Sequence, residues 1–361
     1  MPSLAIILGT RAEFLKCVPL LQYLQRTETE HKVLHTGQNE IEDLVHDFGI
    51  RHENLIELKS FQGVSLDLLK GLRRSPALVA EIRHVLGDID ARYVVFHGDT
   101  ATTFAAAIAS IGQKCPTAHI EAGLRSHSML EPFPEEFFRT VADRKSSVLF
   151  APSRMAEKNL LQERIKGEVV LTGNTICDML NMIVKRIGEV RREQFVLMTS
   201  HRYENILIKP RLRRILEILE LCRYPVYWPL HRMTRVQLER FGLMEQIKKN
   251  ENIHILPPAS YTEFVRLLLR CNYVITDGGG IEEESIILGK PCLLLRKRTE
   301  RGEGLGMGIT FLSRLDPKYS ESVIRMLEAG YVPSETLVNP YVVDGSPTEL
   351  IGQFLQAKLT P

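Results

Sequence analysis

Short apolar runs of strand-forming residues alternate with longer amphipathic stretches along nearly the whole chain, and this alternation restricts the fold more than any other property of the sequence. It is the pattern of repeated βα units that build a parallel sheet. In the first half Leu4–Leu8, Val33–His35, Tyr93–His97, Thr117–Ile120, Val148–Ala151 and Val169–Leu171 read as strands. Phe195–Thr199, Val226–Trp228, Ile253–Leu256, Tyr273–Thr276 and Cys292–Leu295 repeat the pattern in the second half, separated by helix-like segments such as Tyr261–Arg270. A chain of 361 residues exceeds the size at which one hydrophobic core keeps growing. The expected fold class is therefore α/β, with two Rossmann-like doubly wound domains and a ligand cleft between them. The long amphipathic stretch Ile176–Arg192 separates the two sets of strands, which places the first domain at 1–178 and the second at 179–346. Pro347–Leu359 reads as a last helix, spanning about 347–361, with Ser346 as its N-cap and Pro347 at its first position. By analogy with two-domain folds of this type, that helix is expected to return to the first domain.

Forty-six basic residues balance forty-four acidic ones, and 44% of the chain is apolar. Such a surface has no broad attraction for nucleic acid or for a membrane, so an anionic ligand has to be held locally. Six scattered cysteines (Cys17, Cys115, Cys177, Cys222, Cys271 and Cys292) form no C-x-x-C pair, which argues against a zinc site or a disulfide framework and for a reducing, cytoplasmic setting. The apolar Met1 to Leu8 run is interrupted by Thr10, Arg11 and Glu13 before it reaches the length of a signal core or a membrane span.

Open α/β sheets bind ligands beyond the carboxyl ends of their strands. Polar groups directly after the apolar runs are Gly9-Thr10-Arg11, His97-Gly98-Asp99-Thr100, Glu121-Ala122-Gly123-Leu124-Arg125 and Thr172-Gly173-Asn174-Thr175, then His201 to Asn205, His231 and Asp277-Gly278-Gly279-Gly280. Plainer readings exist for each. Gly9, Gly98 and Gly173 suit tight turns, and Thr10 or Asp99 suits a helix N-cap. The glycines before Ile281–Leu288 can bring peptide N–H groups to a diphosphate at a helix N-terminus. Glu282, Glu283 and Glu284 then read either as a solvated acidic first turn or as including one carboxylate for the ribose hydroxyls. Asp99, Glu121, Glu135, Glu136 and His201 form a set of titratable groups able to move protons, with Lys16, Arg125 and Arg139 as nearby cations. For Lys16 and Arg139 a surface helix position is the plainer expectation.

At these residues the sequence resembles the non-hydrolysing UDP-N-acetylglucosamine 2-epimerases, whose fold is like that of glycosyltransferase-B enzymes, and the likeness runs through almost the entire chain. It rests on Gly9-Thr10-Arg11-x-Glu13-x-x-Lys16, His97-Gly98-Asp99-Thr100, Glu121-Ala122-Gly123-Leu124-Arg125, Pro134-Glu135-Glu136-x-x-Arg139 and Thr172-Gly173-Asn174-Thr175. In the second half it rests on His201-Arg202-x-Glu204-Asn205, Asp277-x-Gly279-Gly280-x-x-Glu283-Glu284, Thr299-Glu300-Arg301 and Asn339-Pro340-Tyr341.

The resemblance implies inversion at C2 of a UDP-2-acetamido sugar, by elimination of UDP to a 2-acetamidoglucal and its re-addition, with no redox cofactor and no metal. It assigns catalysis to Asp99, Glu121, Glu135, His201 and Lys16. It assigns UDP binding to Arg11, Thr10, Gly278, Gly279, Gly280, Glu284, Arg139, Asn174 and Arg301, and associates Gln38, Glu136, Arg202 and His231 with a second, activating UDP-sugar. A homodimer is the usual assembly. This sequence departs from the family pattern at Gly278, where a serine is usual, and at Glu282, where a glutamine is usual. Ala12 and Gly302 replace prolines, Phe138 an asparagine and Asn39 a histidine. The alternatives are a hydrolysing epimerase that releases UDP and free N-acetylmannosamine, a glycosyltransferase of the same fold, and a UDP-sugar-binding regulator.

Overall fold

Alternating apolar and amphipathic segments fold as two all-parallel sheets with helical crossovers in a computed structural model that describes residues 3–62, 68–113, 115–129, 132–333 and 338–359. The first sheet contains β1 (Ser3–Leu8), β2 (His31–His35), β3 (Leu55–Glu57), β4 (Ala91–His97), β5 (Thr117–Ile120), β6 (Val148–Ala151) and β7 (Glu168–Leu171). Its helices are α1 (Arg11–Arg26), α2 (Glu42–Asp47), α3 (Leu68–Asp88), α4 (Ala101–Ala109), α5 (Glu135–Lys145), α6 (Arg154–Gln162) and α7 (Ile176–Ile187). The second sheet contains β8 (Val196–Thr199), β9 (Val226–Pro229), β10 (Ile253–Leu256), β11 (Tyr273–Thr276), β12 (Cys292–Leu294) and β13 (Thr310–Leu312). Around it lie α8 (Tyr203–Ile206), α9 (Lys209–Leu219), α10 (Arg232–Arg240), α11 (Met244–Lys249), α12 (Tyr261–Arg270), α13 (Gly279–Ile287), α14 (Glu303–Gly306) and α15 (Pro317–Glu328), and the chain ends in α16 (Pro347–Leu359).

Strand order is β3-β2-β1-β4-β5-β6-β7 in the first sheet and β10-β9-β8-β11-β12-β13 in the second. Both are the Rossmann order, in which successive crossovers run outward from a central pair. The central strands are buried on both faces, so they read as continuous apolar runs such as Leu4–Leu8 and Tyr273–Thr276. Two strands were not visible in the sequence, β3 and β13. Each has three residues and lies at an edge, β3 is only partly buried, and neither carries an apolar run long enough to register.

In each sheet the order reverses between two neighbours, β1 and β4 in the first, β8 and β11 in the second. Connections leave these strands in opposite directions, so the loops after them diverge and open a crevice at the carboxyl edge. Of the polar groups singled out above, Gly9-Thr10-Arg11 and His97 to Thr100 stand at the ends of β1 and β4, and His201 to Asn205 and Asp277 to Gly280 follow β8 and β11; the others follow neighbouring strands.

The chain divides into two compact units, Met1–Met179 with Pro340–Pro361 and Leu180–Asn339. The division falls inside α7, and the return to the first unit begins at Pro340 rather than at 347. The reason is local: Tyr341 is fully buried, and its carbonyl accepts the Asn174 N–H at 2.9 Å. Further on, α16 packs on α1. Gly352 lies flat against the Tyr23 ring, where an added Cβ would fall 2.3 Å from Cε1, and Tyr23 and Gln356 hydrogen-bond at 3.0 Å. Ser346 caps this helix by accepting from the Glu349 N–H at 3.2 Å. Residues 360–361, included in the expected last helix, lie outside the described residues.

Gly173 makes the Tyr341 contact possible, because it adopts φ +84° and a Cβ there would stand 2.4 Å from the Tyr341 carbonyl oxygen. Gly173→Ala combines left-handed backbone strain with a clash against backbone that cannot rotate away. It is expected to lower the unfolding free energy by roughly 2 kcal/mol or more, measured by urea denaturation; an unchanged midpoint would refute this packing of residues 340–347.

Candidate active site

In the first unit the candidate proton-transfer groups gather around the β1/β4 switch point. Glu121 follows β5 with φ +69°, a left-handed conformation that is costly for a side chain bearing a Cβ. Its carboxylate receives the Lys16 ammonium at 2.6 Å, and both groups are buried. His97 Nδ1 lies 3.6 Å from the other Glu121 oxygen, and that oxygen is 3.5 Å from where a Cβ on Gly98 would stand. Glu121 therefore packs against the residue that precedes Asp99. Asp99 is partly exposed and is paired with the Arg139 guanidinium, which also reaches Glu136 at 3.4 Å.

Lys16 and Arg139 are thus not surface helix residues. Each is more than nine-tenths buried and neutralises a candidate acid–base carboxylate. Glu135, Arg139 and Asp143 recur every four residues along α5, so one face of this helix carries a candidate acid–base group, the partner of Asp99 and a further buried carboxylate.

Other predicted residues here make contacts within the fold. Thr10 is the N-cap of α1, accepting from the Glu13 N–H at 3.2 Å within a reciprocal capping box. Arg11 lies at the surface in a two-pronged pair with Asp43 at 2.5 and 2.6 Å, which lowers the Asp43 pKa. Asn174 Oδ1 accepts from the Ile176 N–H at 3.1 Å, a turn contact at the start of α7. Gln38 accepts weakly from Thr102 Oγ1 at 3.5 Å. Glu136 accepts from the Ser126 N–H at 3.2 and 3.1 Å. Arg125 is spent on Asp143 at 2.7 Å and on Glu163 at 2.6 and 2.9 Å.

In the second unit the β8/β11 switch point carries the glycine turn. Gly278 is the N-cap of α13 and offers no side-chain acceptor to the first-turn N–H groups. A Cβ on Gly279 would stand 2.5 Å from Arg301 Nη1, so this glycine lets a guanidinium lie against the helix start. Arg301 also donates to Glu283 at 2.6 Å and to Glu300. Gly280 has open space where a Cβ would be.

Glu282, Glu283 and Glu284 are all buried, which overturns the solvated first turn. Glu284 accepts from the Tyr261 hydroxyl at 3.0 Å, and Glu282 from Thr299 Oγ1 at 2.7 Å. Burial raises the Glu282 pKa to about 8, against the lowering pull of Arg296, Thr299 and Arg301. His201 is half-exposed beside Asp277, with its ring centre 6.1 Å from that of His231. His231 Nδ1 caps α10 by accepting from the Met233 N–H at 3.4 Å, and burial together with the His201 charge lowers its pKa, keeping that nitrogen free to accept. The Arg202 guanidinium reaches towards Glu300 at 3.9 Å.

Several residues with a part in this geometry are not singled out by the sequence: Asp143, Tyr261 and Arg296, and His119 as more than a strand residue. Asp143 alone left a trace, its spacing of four and eight residues from Arg139 and Glu135 on one amphipathic helix. Among the described residues no three His, Cys, Asp or Glu side chains are disposed to ligate a metal ion, and no helix is long and apolar enough to cross a membrane.

Comparison with known proteins adds to this geometry. The profile of a family described as UDP-N-acetylglucosamine 2-epimerase matches residues 22–356. A protein named UDP-N-acetylglucosamine 2-epimerase from Methanocaldococcus jannaschii is 35% identical over 86% of this chain and 88% of its own length. Among solved structures, M. jannaschii UDP-GlcNAc 2-epimerase in complex with UDP-GlcNAc and UDP superposes with a TM-score of 0.87 at 31% identity, over 98% of this chain and 99% of that one. The enzyme from Neisseria meningitidis bound to UDP-GlcNAc gives 0.86 at 28% identity, over 99% of this chain and all of the other.

Glu282 generates a prediction whose sign follows from linkage. Its folded pKa of about 8 lies above the ordinary carboxyl value, so the folded state keeps a proton that the unfolded state gives up between pH 4.5 and 8. The contribution is fully present below pH 4.5, is lost progressively as pH rises to about 8, and is then constant. Glu282→Gln supplies the same shape with no proton to lose. It should melt higher than the parent at pH 8.5, with the gap closing towards pH 5; a gap independent of pH in calorimetry would show that Glu282 is ionised in the fold.

Proposed function

Since the chain belongs to the UDP-N-acetylglucosamine 2-epimerase family, we propose that it inverts C2 of UDP-N-acetylglucosamine by eliminating UDP and adding it back, without hydrolysis. A carboxylate takes the C2 proton while the C1–O bond breaks with its electron pair going to the departing diphosphate oxygen. That leaves 2-acetamidoglucal. In the return step the diphosphate oxygen attacks C1 and an acid delivers a proton to the opposite face of C2.

The observation that carries this reading is the pairing of Glu121 with Lys16 and of Asp99 with Arg139 at one strand edge, in company with Glu135 on α5. Two of these three carboxyl groups serve the two faces. A buried ammonium at 2.6 Å favours the ionised form of Glu121, as a base requires. In the second unit the N-terminus of α13, the adjoining Arg301 and the half-exposed His201 suit a diphosphate whose charge grows as UDP leaves. Glu284, oriented by Tyr261, suits the ribose hydroxyls. A glycosyltransferase needs no proton removed from C2 and so gives no role to three clustered carboxyl groups.

Incubation with UDP-N-acetylglucosamine in doubly labelled water tests the proposal. Deuterium at C2 of the recovered UDP-sugar, with no heavy oxygen, is expected. Heavy oxygen in a free sugar would make the enzyme a hydrolysing epimerase, and absence of C2 deuterium would refute both. Glu121→Gln and Asp99→Asn should each lower kcat by about 10²–10⁴-fold, the usual worth of general acid–base help. UDP binding by calorimetry should persist in both, and near-normal turnover in either would remove that residue from proton transfer.

A further inference from the structure

His119 lies in the middle of the apolar run of β5 with none of its surface exposed. Its ring nitrogens each face an oxygen acceptor. Nδ1 meets the Asp143 carboxylate at 2.7 Å, and Nε2 meets the Gly98 carbonyl at 2.7 Å. Both neighbours are oxygen acceptors, so each of the two short contacts is made by a ring N–H. Asp143 is equally inaccessible. Burial alone would raise its pKa, but His119 and Arg125 outweigh burial and lower it. Its second oxygen accepts from the Gly123 N–H at 3.2 Å and from Arg125 at 2.7 Å.

The connections of this pair lead to all three candidate acid–base groups. Gly98, whose carbonyl His119 holds, is joined directly to Asp99, and its turn has φ +72°. Glu121 lies between His119 and Gly123, so both ends of its left-handed segment are tied to Asp143. Asp143 itself sits on the same face of α5 as Glu135, two turns along. None of these contacts touches the reacting atoms. A buried ion pair is an expensive way to gain stability alone, since apolar residues of similar volume often serve as well.

We propose that the buried His119–Asp143 pair is a positioning device for the epimerisation, locking the Gly98–Asp99 turn, the left-handed Glu121 and the Glu135 helix into one rigid constellation. The role rests on the function proposed above. Its sharpest consequence concerns the Nε2 bond, because Asn and Gln each retain one half of the histidine. An Asn amide reaches the Nδ1 position and an end-on Gln amide the Nε2 position. His119→Asn therefore keeps a donor to Asp143 and loses the one to Gly98, while His119→Gln keeps the donor to Gly98 and loses the one to Asp143.

The test compares both variants with the parent in steady-state epimerisation of UDP-N-acetylglucosamine, thermal unfolding and crystal structures. In His119→Asn kcat is expected to fall at least tenfold further than in His119→Gln, with KM little changed in either, and the Gly98 peptide is expected to turn away only in His119→Asn. Equal kcat in the two variants, losses that follow melting temperature, or a Gly98 peptide unmoved in both would overturn the proposal. If the parent itself fails to turn over the sugar, the proposed function falls, and the Gly98 peptide in the two crystal structures still decides whether His119 positions this turn.

Discussion

One fully buried or nearly buried carboxylate closes each switch point, and the placement of the loops that leave it depends on that group. In the first sheet Glu13 accepts from the Gly9 and Thr10 N–H groups after β1, both at 2.8 Å, and from Thr100 Oγ1 at 2.6 Å and Thr103 Oγ1 at 3.1 Å after β4. In the second, Asp277 after β11 accepts from Ser200 Oγ, the His201 and Arg202 N–H groups and Asn205 Nδ2, at 2.6 to 3.2 Å. Diverging connections would otherwise leave backbone donors buried without partners, at a cost of about 1–3 kcal/mol each. A carboxylate has several lone pairs and no proton to place, so one side chain satisfies both loops. Burial is severe enough that it raises the Glu13 pKa in spite of these donors. The loops carrying Thr10, Asp99, His201 and Arg202 are thereby fixed before any ligand arrives.

Charges in the first unit come as compensated sets. Lys16 with Glu121, Arg139 with Asp99 and Glu136, and Arg125 with Asp143 and Glu163 each remove a charge from water only alongside its opposite. Removing one member would strand the other, which is far costlier than the pair is stabilising. The regular spacing of Glu135, Arg139 and Asp143 on α5 places carboxylate, cation and carboxylate along one face of the helix.

Much of this architecture is legible in the sequence because the signals are local. An apolar run followed by Gly and a charged residue marks a strand end in a parallel sheet, and the runs at β5, β6, β10 and β11 coincide with the strands residue for residue. Edge strands β3 and β13 escape because partial exposure dilutes their apolar pattern. Within the site, the residue types were visible and their partners were not. Nothing local says that Lys16 turns inward to a carboxylate 105 positions away, or that Arg11, in the same motif, turns outward to Asp43. Burial also decides Glu282, Glu283 and Glu284, which an isolated helix would present to solvent as a favourable acidic first turn. Asp277 reads only as a polar residue after an apolar run, and proves to be the clamp that holds Ser200, His201, Arg202 and Asn205.

The departures from the family pattern become intelligible at the same atoms. A glutamate in place of the usual glutamine at 282 adds a negative charge beside the glycine turn only if it is ionised; a carboxyl with a pKa of about 8 is neutral at pH 7 and has the shape of the amide it replaces. The cation next to the glycine turn is Arg301, which Glu283 and Glu300 hold against Gly279. At Gly278 a Cβ would lie 3.0 Å from His201 Cε1 and 3.3 Å from Ile281 Cδ1. A serine hydroxyl and this placement of the His201 ring therefore compete for the same space. Glycine gives up a donor and admits the ring; under the proposed function a diphosphate here would be met by peptide N–H groups, a guanidinium and an imidazole in place of a side-chain hydroxyl.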